Sequence, residues 1–283
     1  VPEPAVRWRL AAPAKLNLWL HVVGRRADGF HELDTLMVLL DLADVVTARV
    51  EGDGLEVRGE HAADVPRGHD NLAWRGWTAG WEDHPPSGSL GLDKAIPAAA
   101  GLGGGSSDAA AGWRLAQHAV RGEERAATQA TLASLAGIGA DVPFFAASVP
   151  AGRVTGIGEQ VEPAATLPDA RDAVLVHPPF GLSTAAVFGE LSQADWSTPD
   201  PETGPGRNDL LAAARRIRPE LGEILRLVER AGGEPHVTGS GPTVFVLTDD
   251  PERADGVAQR VERAGLAVTR TRLRSEPASI EAG

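Results

Sequence analysis

A few short segments set polar side chains or bare backbone where chemistry could be done. In Pro97-Ala-Ala-Ala-Gly-Leu-Gly-Gly-Gly-Ser-Ser-Asp108, the glycines at 101, 103, 104 and 105 let the chain turn through positive φ and come close to a ligand, and helical sequence follows to about Val120. The amides and hydroxyls of Ser106 and Ser107 then sit at the positive end of a helix, which suits a phosphate. No Gly-Lys-Ser/Thr follows, so this is not a Walker loop, and the three consecutive glycines do not match a dinucleotide fingerprint. Read alone, the segment could also be a flexible connector. In Pro13-Ala-Lys-Leu-Asn17 an alternating strand puts Lys15 and Asn17 on one face. If that face lines a cleft, the ammonium can offset phosphate charge or a developing alkoxide, and the amide can position a hydroxyl; otherwise it is a solvated strand face. Asp141, in Gly139-Ala-Asp-Val-Pro-Phe144, reads by itself as a helix cap; the other reading is a carboxylate that accepts or orients the proton of an attacking hydroxyl. Gly239-Ser-Gly-Pro242 is either an ordinary tight turn or a wall of small residues where backbone passes close to a ligand. Lys15 and Lys94 are the two lysines among 27 basic residues, a pattern that codon bias explains as well as function does.

These segments need a scaffold, and the pattern is α+β. Strands are expected at Val6 to Leu10, Leu16 to Val23, Thr35 to Leu40 and Val45 to Val50, from their alternation and turn residues between them. Leu72, Trp74, Trp77 and Trp81 repeat at helical spacing behind a cap candidate, Asp70, with the tryptophans read as core. A short strand near Leu90 to Leu92 precedes the glycine loop, and helices follow at Glu124 to Leu135 and from Asp141, with Pro143 near its first turn. Leu167 to Arg171 and Asp195 to Arg207 are connections. Strands at Ala173 to His177, Val244 to Leu247 and Ala267 to Arg272 alternate with helices at Leu210 to Arg216, Leu221 to Ala231 and Pro251 to Ala264. A domain boundary is placed near Pro163, dividing 1–163 from 164–283.

Composition narrows the function. A chain of 283 residues can bury a core and still enclose a cleft. The absence of cysteine removes disulfides, thiolate catalysis and Cys-based zinc, and fits the cytoplasm. Asn17 and His21 interrupt the one apolar stretch near the N-terminus, so neither a secretory segment nor a membrane span is expected. A formal charge of −12 argues against a nucleic-acid partner, so an anionic ligand must be met by local charge.

Pro13 to Asn17, the Pro97 to Ala110 loop, Gly139 to Pro143 and Gly239 to Gly241, in this order and over nearly the whole chain, resemble the three motif regions of the GHMP kinases, the superfamily of galactokinase, homoserine kinase and mevalonate kinase. Arg25-Arg-Ala-Asp-Gly-Phe-His-Glu-Leu33 and the form of the glycine loop resemble the branch acting on a cytidine-diphosphate-linked methylerythritol in the non-mevalonate route to isoprenoid precursors. The resemblance implies a two-lobed fold, an N-terminal ATP-binding lobe and a C-terminal ferredoxin-like substrate lobe, with the active site in the cleft between them. It implies transfer of the ATP γ-phosphate to the 2-hydroxyl of the methylerythritol. Asp141 would be the general base and Lys15 the cation that steadies charge on the nucleophile. Asn17 and Thr184 would hold the methylerythritol diphosphate end beside Gly239 and Ser240, and Phe30, His31 and Phe188 the cytosine. Asn71 and Lys94 match positions near the adenine, with Pro97, Gly101, Leu102, Gly103, Gly104, Gly105, Ser106 and Ser107 around the ATP phosphates and Mg²⁺ touching Ser107 and water. The expected partner is a small molecule, and the expected state a monomer or weak homodimer. Three positions depart from the family: Phe30 where tyrosine is usual, Ala95 where a basic residue often stands, and Pro242 in place of a smaller residue. Without the resemblance, Phe30 and Phe188 read as core and His31 as a satisfied loop histidine. The alternatives are a GHMP kinase for mevalonate, homoserine or a sugar, and a non-catalytic nucleotide-binding relative.

Overall fold

The computed structural model describes residues 7–169, 171–199 and 205–283, so Val6, expected to open the first strand, and parts of the two expected connections lie outside the described residues. In chain order the elements are β1 (Arg7–Arg25), β2 (His31–Arg49), β3 (Asp53–Gly59), α1 (Leu72–Gly80), β4 (Gly88–Lys94), α2 (Gly104–Arg121), α3 (Gln129–Leu135), α4 (Val142–Ala146), β5 (Ala151–Gly156) and β6 (Gln160–Pro163). Then come β7 (Asp172–His177), α5 (Thr184–Glu190), α6 (Leu211–Ile217), α7 (Glu220–Arg230), β8 (His236–Val237), β9 (Val244–Thr248), α8 (Pro251–Arg263), β10 (Ala267–Arg272) and β11 (Glu281–Ala282). One sheet runs β11-β1-β2-β4-β3, with β5 on β2 and β6 on β5. The other runs β10-β7-β9-β8, the βαββαβ order of a ferredoxin-like unit. The fold is therefore the expected two-lobed α+β.

Period-two alternation assembles the layers. Met37 and Leu39 pack toward α2 and α4, whereas Val38 and Leu40 pack between the sheets. Likewise Ala173 and Leu175 face the first sheet, and Val174 and Val176 face the helices of the second lobe.

The four expected N-terminal strands are two 19-residue strands. The residues expected to separate the first two strands form a bulge instead: the β1–β2 register shifts between Pro13 and Lys15. The shift reverses the faces, so Leu10 and Ala12 lie under α1 and α2 whereas Ala14, Leu16 and Leu18 lie between the sheets. Lys15 and Asn17 thereby reach the cleft.

Other expectations move by local chemistry. Asn71, not Asp70, caps α1, its side chain accepting from the Ala73 amide at 2.8 Å. The helix expected from Glu124 begins at Gln129 behind Thr128, because Gly122 ends α2 in the left-handed region. Helices α1 and α2 touch backbone to backbone: a Cβ on Gly76 would lie 1.9 Å from the Ala109 carbonyl oxygen, and one on Gly112 would lie 2.4 Å from that of Ala73.

Candidate active site

A cleft of about 740 Å³ opens between the two sheets, lined by β1, the glycine loop, α5 and the turn between β8 and β9. At its floor the bulge withdraws the Lys15 amide from the strand ladder, and it donates to the Leu102 carbonyl at 2.9 Å, tying the loop to the strand. Gly101 and Gly103 have φ of 78° and 72°. A Cβ on Gly101 would fall 2.6 Å from the Thr238 carbonyl oxygen, so the loop passes backbone on backbone against the second turn. Gly103 caps α2 without a side chain, which leaves the amides of its first turn open to an anion. Such an arrangement can hold a phosphate.

Opposite the cradle stand Lys15 and Asp141. The Lys15 ammonium is buried and donates to Asn17 Oδ1 at 2.5 Å, and it lies 3.5 Å from Asp141 Oδ2. Asp141 is the residue before α4, but its side chain caps no amide there and is 29% exposed. The capping reading, favoured on residue type, is thus overturned by geometry. Asn17 is held from below: its Nδ2 donates to Thr35 Oγ1 at 2.9 Å, and Thr238 Oγ1 donates to its Oδ1 at 3.3 Å. Thr35 and Thr238 were invisible as site residues because their roles depend on pairing across the sheets. Gly239 abuts this group, with a Cβ there falling 3.2 Å from Lys15 Nζ, so the second turn needs bare backbone.

The far end of the cleft is aromatic. His31 and Phe188 stack with centroids 5.3 Å apart and planes at 30°, while Phe30 is 60% exposed beside them. Burial, with a smaller effect from Arg25, holds the His31 imidazole below its ordinary pKa, so at neutral pH its ring is uncharged and offers one donor and one acceptor. Thr184, at the start of α5, meets Ser240 Oγ at 2.9 Å and closes this wall against the second turn.

Not every expected side chain is free for a ligand. Lys94 lines the cleft, but its ammonium is engaged by Asp44 and, at 2.7 Å, by Asp108. Asp44 Oδ1 also accepts from the Ala95 and Ile96 amides at 2.6 and 2.8 Å, so the trio joins β2, β4 and α2 beneath the glycine loop. Burial first, then Asp44, pushes the Asp108 carboxyl up to about 8 against the pull of Lys94. Although burial alone would lower the Lys94 pKa, the two carboxylates outweigh it and hold it above its ordinary value. Asp44 carried a signal in the sequence, a charge between apolar residues of a strand; Asp108 stood in the quoted loop and was not assigned a role. Asn71 lines the cleft with its amide used in capping and in a 2.6 Å bond to the Pro66 carbonyl. Pro97 and Leu102 line the cleft with the glycines and Ser106. Ser107 does not: it is buried one residue further along α2, and its Oγ has no hydrogen-bond partner among the described residues.

Known proteins resemble this chain along most of its length. The family model for the GHMP kinases N terminal domain matches residues 71–148, and that for the GHMP kinases C terminal region matches residues 191–267. A 4-diphosphocytidyl-2-C-methyl-D-erythritol kinase of Paracoccus denitrificans is 39% identical over 269 residues, covering 89% of this chain and 91% of the relative. One of Dinoroseobacter shibae is 39% identical over 268 residues, with 88% of each chain covered. A crystal structure of 4-(cytidine 5'-diphospho)-2C-methyl-D-erythritol kinase superposes with a TM-score of 0.76 at 33% identity, covering 93% of this chain and 98% of that one. A homoserine kinase from Cytophaga hutchinsonii, at 14% identity and a TM-score of 0.66 over 99% of this chain and 98% of its own, shares the fold.

Proposed function

Because the chain belongs to the GHMP kinases, in the branch of the 4-diphosphocytidyl-2-C-methyl-D-erythritol kinases, we propose that it transfers the γ-phosphate of ATP to the 2-hydroxyl of 4-diphosphocytidyl-2-C-methyl-D-erythritol, giving the 2-phosphate and ADP in the non-mevalonate route. The observation that carries this is the placement of the Lys15–Asp141 pair between an open helix N-terminus and an aromatic wall. In this reading the amides of the loop from Gly101 to Ser106 hold the phosphates, and the acceptor hydroxyl lies against Asp141. As its oxygen bonds to the γ-phosphorus and the bond to the β-phosphate oxygen breaks, the Asp141 carboxylate takes or orients the hydroxyl proton, and Lys15 offsets the negative charge. Asn17, with both polar groups engaged inside the protein, keeps Lys15 aimed and presents its amide edge to the diphosphate end.

Mg²⁺ supplies charge neutralisation on the phosphates when bound. The Ser107 hydroxyl expected to touch it has no hydrogen-bond partner among the described residues but lies outside the cleft lining, so the ion is proposed to be carried by the nucleotide with its water rather than by Ser107. The state proposed is a monomer or weak homodimer. No helix among the described residues is long and apolar enough to cross a membrane, and we place the reaction in the cytoplasm. The lobes are proposed to divide near Pro163.

The test is ADP release with Mg-ATP and the cytidine-linked substrate, with ³¹P NMR used to find a new phosphomonoester. No turnover by protein that binds ATP would move the assignment to another alcohol. Phe188→Ala is expected to raise the KM for this substrate by roughly three- to tenfold at near-constant kcat, because stacking is made in ground and transition states alike. Initial-rate kinetics check this; a fall in kcat alone would contradict a binding role.

A further inference from the structure

Trp196 lies outside the cleft lining, yet its ring meets His31 edge-on, at 6.0 Å and 89°, while Phe188 lies nearly parallel to the same imidazole. Its indole Nε1 is buried without a hydrogen-bond partner among the described residues, so the ring serves there as a packing surface rather than a donor.

Both neighbours of Trp196 are pinned. Asp195 accepts from Arg216 Nη2 at 2.7 Å, and Arg216 Nε in turn donates to Glu190 Oε1 at 2.9 Å, at the end of the helix that carries Phe188. Ser197 donates its amide and its hydroxyl to Asp209 at 2.9 and 2.8 Å, and its Oγ also meets His21 Nδ1 at 2.6 Å. The buried Asp209 carboxylate accepts as well from the Val22 amide at 2.9 Å and from Arg207 Nε at 2.7 Å. The phosphoryl-transfer machinery uses none of these groups. Their common effect is to seat one indole against one imidazole.

We infer that Trp196 is a positioning residue for the nucleobase end of the cleft, fixing the plane of His31 so that the imidazole edge meets the base. The inference rests on the proposed function, because it needs a cytosine at His31. The test is a double-mutant cycle on the KM for 4-diphosphocytidyl-2-C-methyl-D-erythritol, with wild type, Trp196→Ala, His31→Ala and the double variant. Trp196→Ala is expected to raise this KM by roughly three- to tenfold, the scale of one aromatic pair, with kcat and the KM for ATP little changed. In the His31→Ala background the same change should have no further effect. An equal rise in both backgrounds, or a loss in kcat, overturns the inference, since a ring that merely supports the fold acts whether or not His31 is present. Should Trp196→Ala not fold, Ser197→Ala takes its place in the cycle with the same expected and overturning results. Wild-type protein that does not turn over this substrate withdraws the functional reading and this inference with it; an active wild type with an additive cycle removes the inference alone.

Discussion

Asp141→Asn is expected to lower kcat by roughly 10²- to 10⁴-fold while leaving ATP binding and the melting temperature near those of the wild type. The amide matches the carboxylate in size but cannot take a proton, and it removes the negative partner 3.5 Å from the Lys15 ammonium. Stability should hold because the Asp141 side chain bonds to none of the α4 amides. Asp141→Ala sharpens the point. A true cap would cost about 1 kcal/mol on truncation, and here that loss should be absent. Single-turnover kinetics, calorimetric titration with ATP and thermal unfolding separate the three quantities. Turnover within tenfold of wild type would take Asp141 out of the chemistry.

Lys94→Met should be the most destabilising of the substitutions considered, by about 3–5 kcal/mol, because it leaves the buried Asp44 carboxylate and the Asp108 carboxyl beside one another without their cation. The side chains of Asp44 and Asp108 are 0% and 2% exposed, so water cannot replace the ammonium. The pH profile tests the same trio. Asp108 holds its proton up to about 8 in the folded protein, against 3.8 as its ordinary value, so between these limits the native state binds more protons than the unfolded chain. Stability from this group is therefore present in full below the lower value and is lost as pH rises through the higher one. Without Lys94 the opposing pull disappears, so the carboxyl keeps its proton to higher pH, and the fall that ends near pH 8 in the wild type should run on above it. Urea unfolding of both proteins from about pH 5 to about pH 9 is the measurement. A loss below about 1 kcal/mol with the same upper limit to the fall would show that the trio is not an ionic joint.

The parts of this molecule legible from sequence are those decided locally. Apolar runs marked β7 and β9, which are buried on both faces, β10 was marked beside them, and helical spacing marked α7 and α8 to within a residue or two, because these helices bury one face against a single layer. Strand β3, Asp53-Gly-Leu-Glu-Val-Arg-Gly59, went unseen: its pattern is weak, and a parallel pairing with β4 holds it. Helix α5 was missed as an element although Thr184 and Phe188 on it were named; it has seven residues, and only the Ser183 cap marks its start. The glycine loop was legible because its chemistry is continuous in the chain. The meeting of Lys15 with Asp141 was not, since it depends on a bulge in one strand and on the start of a distant helix; only the family resemblance joined them. Lys94 shows the limit of that resemblance, which placed it by the adenine and gave no hint of the carboxylates that engage its charge.

The contact of α1 with α2 bears on how such a cleft can diversify. Gly76 and Gly112 bring the two backbones too close for any side chain at those positions, and a Cβ on Gly80 would fall 2.6 Å from that of Ala116. The gap between the Asn71 end of α1 and the glycine loop at the start of α2 is thus closed to the usual route of trading core volume. In the proposed reading it behaves as a fixed gauge for the phosphate donor. The acceptor end has no such gauge: its wall comes from β2, α5 and a surface segment, where single aromatic replacements reshape the opening without disturbing a helix pair. A fold built this way can change its alcohol many times over while its nucleotide stays the same.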